Sequence, residues 1–80
     1  MRLPRDLSGG QLAKLLAAYG YVITRQTGSH MRLTTRRHGE HHITIPAHDP
    51  LRVGTLNSIL TDAAAHLQLT KDQLLAALFD

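Results

Sequence analysis

The chain contains no cysteine and no tryptophan. Without thiols it can form neither a disulfide nor a thiolate metal site. Its aromatics are few: Tyr19, Tyr21 and Phe79. The core must therefore be aliphatic. No apolar run approaches the ~20 residues that a membrane-spanning helix needs. The opening MRLPRDLSGG lacks the apolar stretch that marks a secretory signal. These absences suit a protein of the reducing cytosol, and a cytoplasmic location without membrane association is expected. A chain of 80 residues, 42% of them apolar, is expected to form a single domain over 1–80. So short a chain buries only roughly 60% of its unfolded surface, and its core must be used efficiently.

Charge is present but unevenly placed. The formal net charge is +3 with histidine neutral. Between residues 24 and 44 stand Arg25, Arg32, Arg36 and Arg37, four histidines (His30, His38, His41, His42) and one acid, Glu40. Beyond residue 55 the acids Asp62, Asp72 and Asp80 face one base, Lys71. A basic middle and a mildly acidic end are what a polyanion-binding surface looks like. They also fit a solvated face that happens to be basic.

Ser8-Gly9-Gly10-Gln11 has the spacing of a capping box, with Leu12, Leu15, Leu16 and Tyr19 following at helical spacing. Gly20 is placed to end that helix, expected over 9–19. Tyr21-Val22-Ile23-Thr24-Arg25-Gln26 reads as a strand, and Thr27-Gly28-Ser29 as a turn. A second strand is expected from His30 to about Arg36. Its period-two alternation sends Met31, Leu33 and Thr35 one way and His30, Arg32, Thr34 and Arg36 the other. After a turn at 37–40, His41 to Ile45 reads as a third strand, with Ile43 and Ile45 inward, His42 and Thr44 outward, and Pro46 ending it. A loop over 47–53 carries Asp49-Pro50. A helix opens near Gly54-Thr55 with Leu56, Ile59, Leu60, Ala63 and Leu67 at helical spacing. Thr70-Lys71-Asp72-Gln73 is a second capping box ahead of Leu74, Leu75 and Leu78. The expected class is α+β, in the order α-β-β-β-α(-α). Its three-stranded antiparallel sheet is covered by helices on one face, and the basic face stays open.

Gly28-Ser29-His30-Met31 is also the remnant a cleaved purification tag leaves. Here it stands between a capped helix and a strand whose alternation Met31 fits, so it is read as native. An unperturbed imidazole titrates near ~6.5, so His30 can take and return a proton at neutral pH. Metal-free RNA cleavage needs a base for the ribose 2′-OH, an acid for the leaving 5′-oxygen and a fixed cation beside the phosphate. His30 can be base or acid, and Arg32 or Arg25 the cation. Gly28 lets backbone approach a phosphate, and Ser29 can donate to it. Spacing alone favours the plainer reading of His30 as a polar strand residue. His38-x-x-His41-His42 looks ligand-rich, but adjacent strand residues point to opposite faces and no zinc spacing is present, so no metal is expected. His48, in the loop leaving the sheet, is read as structural or as reaching the site. His66, late in a helix, suits the helix dipole.

Taken together, Gly20-Tyr21, Arg25-Gln26-Thr27-Gly28-Ser29-His30, Ile45-Pro46-Ala47-His48 and Gly54-Thr55-Leu56-Asn57-Ser58-Ile59-Leu60 resemble the HicA family of mRNA interferase toxins, over about Ser8 to Leu78. The resemblance implies a double-stranded-RNA-binding-domain-like fold and ribosome-independent endonuclease activity on mRNA. It maps the family's catalytic histidine onto His30. It implies a HicB antitoxin that covers the site, with the pair repressing its own operon. The expectation is a metal-independent endoribonuclease toxin with His30 catalytic and Gly28, Ser29, Arg25, Arg32 and Arg36 on the RNA, needing no small-molecule cofactor. The alternative is a non-catalytic RNA-binding module of the same fold. A third reading is a pure protein-interaction domain.

Overall fold

The structure is a computed structural model and describes residues 3–79. Met1, Arg2 and Asp80, which the single-domain expectation and the C-terminal acid tally include, lie outside the described residues. The elements are α1 (Gly9–Leu16), a 3₁₀ turn (Ala17–Tyr19), β1 (Val22–Gln26), β2 (His30–Thr35), β3 (His41–Pro46), α2 (Val53–His66) and α3 (Lys71–Phe79). The expected α+β order and sheet are present.

Helix α1 begins where the sequence says it should. The Ser8 hydroxyl accepts the Gln11 N–H at 3.1 Å, and the Gln11 side chain accepts the Ser8 N–H at 2.8 Å. Both halves of the capping box are made, which typically stabilises a helix by about 1 kcal/mol. Leu12, Ala13 and Leu16 form its buried face. The helix was expected to continue to Tyr19, but its last turn tightens to 3₁₀. Gly20 then turns left-handed (φ 82°), and Tyr21 N–H reaches back to the Leu16 carbonyl at 3.3 Å. Tyr21 is consequently buried at the helix–sheet corner, and β1 starts one residue later than its composition suggested.

The sheet has order β1-β2-β3, both pairings antiparallel. Met31, Leu33 and Thr35 of β2 and Ile43 and Ile45 of β3 are buried, while their alternating neighbours are not. The face assignment made from period two holds for both strands. β3 also takes in Pro46, opposite His30. Ala47 N–H donates to the Ser29 carbonyl at 2.9 Å, so the flanking 29/47 pair is the hydrogen-bonded one. The 30/46 pair is then the open type, whose backbone groups turn away from the partner strand. Pro46 therefore loses no ladder bond on this edge strand.

Helices cover the buried face. α2 contributes Leu56, Ile59, Leu60, Ala63 and Ala64, and α3 packs on α2 through Leu74 and Leu75. Thr70 and Gln73 make the second capping box, at 3.0 and 2.8 Å. Apart from Tyr21 the buried hydrophobic core is aliphatic, as the shortage of aromatics requires. Each fully buried leucine adds on the order of 2 kcal/mol. Among the described residues no helix is long and apolar enough to cross a membrane.

Candidate nucleic-acid interface

The β1–β2 hairpin closes tightly around Gly28 and Ser29. Thr27 N–H donates to the His30 carbonyl at 2.9 Å, and His30 N–H donates to the Thr27 hydroxyl at 3.2 Å. These bonds pin the backbone of His30 from both sides. Its ring is held at one corner, where Nδ1 lies 2.9 Å from the Ser29 hydroxyl. With Nδ1–H donated to Ser29, Nε2 is bare and can accept a proton. His30 itself is exposed. Gly28 has no steric reason to be glycine. Its φ lies outside the left-handed range, and a Cβ there would meet nothing within 4 Å. An open backbone at a hairpin tip is suited to close approach by a ligand.

The arginines come to His30 by different routes. Arg32 shares its face through simple alternation. Arg25 does not, because strict pairing from Ile23↔Leu33 would set Arg25 opposite Met31 and turn it toward the core. The register instead shifts between Ile23 and Arg25, so that Arg25 lies opposite Arg32 and Gln26 opposite Met31. Directly opposed residues share a face. This bulge at Thr24 therefore re-aims Arg25 outward, beside Arg32 and Thr44. The Thr24 hydroxyl supports it with bonds to the Arg32 carbonyl (3.3 Å) and the Thr34 hydroxyl (2.9 Å). Nothing in the composition of the strand signals the extra residue.

The same end of the sheet gathers both long connections. Gly9 N–H, at the start of α1, donates to the His48 carbonyl at 2.9 Å. A side chain at Gly9 would overlap the Pro46 carbonyl oxygen, so only glycine lets α1 dock there. Leu51 N–H donates to the Leu7 carbonyl at 2.8 Å, tying the loop that leads into α2. The start of α1 and the loop leading into α2 therefore lie at the end of the sheet where β3 leaves Pro46.

Arg36 is exposed just past β2, at the far end of the strand from His30. Six residues of extended chain separate the two, ~20 Å. Arg37 is committed to structure, with its guanidinium donating to the Ala18 carbonyl at 2.9 Å. That far end holds most of the other histidines. His41 Nδ1 meets the Tyr21 hydroxyl at 2.8 Å, its Nε2 meets Asp62 at 3.2 Å, and its ring stacks on His66 at 4.2 Å. Burial first, and then the Asp62 charge, push the Tyr21 hydroxyl up to about 12. His66 Nε2 lies 2.8 Å and 3.0 Å from the Arg37 and Gly39 carbonyls, so it latches α2 to the β2–β3 turn rather than merely answering the helix dipole. On the open face His42 joins Thr34 (2.8 Å) and Glu40 (3.1 Å). His41 and His42 point to opposite faces, as adjacency in a strand requires. Among the described residues no group of three or more histidine, cysteine, aspartate or glutamate side chains is placed to hold a metal ion.

A short sheet with helices on one face and an open basic face on the other defines a small α+β domain of the double-stranded-RNA-binding type. The family model for the HicA toxin of bacterial toxin–antitoxin systems matches residues 9–65, and the chain belongs to that family. Its general role is that of an RNA-interacting toxin partnered by an antitoxin. No curated protein and no solved structure matches the chain.

Proposed function

We propose that the protein is a metal-independent endoribonuclease that cleaves mRNA, with His30 as an acid–base group. The observation that carries this reading is the setting of His30. Its backbone is clamped by Thr27, its Nδ1 is engaged by Ser29, and it shares an open face with Arg32 and the re-aimed Arg25. The 2′-OH of the substrate loses its proton and attacks the adjacent phosphate, and the leaving 5′-oxygen gains a proton. Arg25 and Arg32 offset the charge that builds on the phosphorus oxygens. Gly28 and Ser29 bring backbone and hydroxyl close to the RNA, and Arg36 extends the basic track away from the point of cleavage. The antitoxin is of the HicB type and acts by covering this face.

The test compares wild type with His30→Ala, following growth on expression and the integrity of cellular mRNA. Loss of a general acid or base typically lowers the rate ~10²–10⁴-fold, so the variant is expected to be non-toxic and to leave mRNA intact. Equal cleavage by both proteins would remove His30 from the chemistry. Salt-dependent RNA binding without cleavage by wild type would leave only a binding module.

A further inference from the structure

Cleavage by transesterification takes one proton and returns one, and a single histidine does not serve both ends of the reacting phosphate at once. We propose that His48 is the second acid–base group, the general acid that protonates the leaving 5′-oxygen; this rests on the endoribonuclease reading of His30.

The six histidines of the chain sort by what holds them. His41, His42 and His66 are tied by the hydrogen bonds described above, at the end of the sheet far from His30. His38 sits in the β2–β3 turn with a positive φ of 58°, also at that far end. Only His48 shares the end occupied by His30. Its side chain is exposed and takes no hydrogen bond among the described residues. Its backbone, in contrast, is fixed by the Gly9 N–H on its carbonyl. A pinned main chain carrying an unengaged, solvent-facing imidazole is what a proton donor requires.

The register sets the separation. His30 pairs with Pro46, and the ladder runs one step beyond β3, since Ala47 N–H still bonds the Ser29 carbonyl. Carried one residue past that last bonded pair, the same register puts His48 on the diagonal from His30, a position at which ladder backbones are ~7–8 Å apart. Continued beyond the end of β3, the alternation of Thr44 and Pro46 would bring residue 48 to the open face. Two imidazoles on that spacing bracket a phosphodiester, with Arg25 and Arg32 beside it. Other charged groups in these segments are Asp49 and Arg52 in the same loop, and Arg5 and Asp6 beside Leu7, whose carbonyl accepts the Leu51 N–H.

The step balances. Nε2 of His30 takes the 2′-OH proton, and the 2′-oxygen–phosphorus bond forms. The bond from phosphorus to the 5′-oxygen breaks, and that oxygen takes its proton from the His48 imidazolium. The products are a 2′,3′-cyclic phosphate and a free 5′-hydroxyl.

The experiment uses the purified full chain on two versions of one short RNA. The first has the natural 5′-oxygen at the cleaved bond. The second has sulfur there, a leaving group that departs without protonation. Wild type, His30→Ala, His48→Ala and His48→Gln are compared on both across a range of pH. On the oxygen substrate both His48 variants are expected to be ~10²–10⁴-fold slower and to lose the alkaline limb of the pH profile, where a required acid deprotonates. On the sulfur substrate they are expected to recover close to the wild-type rate, while His30→Ala does not. A His48 variant that cleaves the oxygen substrate at the wild-type rate overturns the proposal. So does a deficit equal on both substrates, which marks a structural role. If wild type and His30→Ala cleave alike, it is the reading of His30 that fails.

Discussion

Gly28→Ala separates a glycine kept by the fold from a glycine kept by the ligand, because the two give opposite signs. The native φ is one that alanine adopts, and the added methyl meets no atom within 4 Å. The folded state therefore loses nothing. The unfolded chain loses conformational freedom, which stabilises the protein by about 0.4–1 kcal/mol. For a domain of this size 1 kcal/mol moves the midpoint of thermal unfolding by roughly 4–8 °C, so a rise of roughly 2–8 °C is expected. Activity should move the other way. If RNA backbone lies against the hairpin tip beside His30, a methyl group there holds the phosphate off, and a loss of tenfold or more corresponds to about 1.4 kcal/mol. Thermal unfolding by circular dichroism and cleavage of a short RNA are measured on the same preparations. A lower unfolding temperature would show that the fold needs this glycine after all. A more stable variant with undiminished cleavage would show that the tip does not touch the substrate.

Leu33→Ala removes a side chain that is fully buried at the centre of the sheet. It should destabilise by about 2–5 kcal/mol, a large share of the about 5–15 kcal/mol that domains possess, as read by urea unfolding. Arg25→Gln and Arg32→Gln should each weaken RNA binding in proportion to one lost phosphate contact. Each should flatten the plot of log affinity against log salt by about 0.7, whereas an unchanged slope would mean the guanidinium points elsewhere. The Tyr21 hydroxyl titrates at about 12 against an ordinary 10.0, because burial and then Asp62 disfavour the phenolate. Its folded value is raised, so the stability this gives is complete below pH 10 and is lost as pH rises through about 12. Following tyrosinate absorbance, Asp62→Asn should lower that midpoint; no change would mean burial alone sets it.

The parts of the fold readable beforehand are those set by local rules. Both capping boxes are made by the residues the spacing named, because an N-cap is decided within four positions of sequence. The buried faces of β2 and β3 follow from alternation alone. Where the reading slipped, a distant contact decided. Tyr21 looked like the first residue of a strand, but the left-handed Gly20 swings it into the corner between α1 and the sheet. His66 does end α2, as its spacing indicates, but its ring also reaches two carbonyls of the β2–β3 turn, 27 and 29 positions away in sequence. No window of local pattern contains that turn and that helix together.

The candidate site divides in the same way. Placing His30 and Arg32 on one open face required only the count of two along β2. Arg25 did not follow from counting, because one unpaired residue at Thr24 reverses the parity of everything after it in β1. A regular strand would turn this cation to the helix-covered side of the sheet, away from His30. The bulge instead brings a second positive charge to the face that carries His30. Gly9 is the complementary case, a residue legible only as a helix opener. Its lack of a side chain lets α1 close on the Pro46 carbonyl, and its N–H fixes the main chain at His48. A substitution at Gly9 therefore acts on the far side of the site through backbone position alone. Gly9→Ala should depress cleavage more than the about 1–3 kcal/mol of overpacking explains in lost folded protein. Rates corrected for the folded fraction are the measurement, and corrected rates equal to wild type would show that α1 does not position the loop that carries His48.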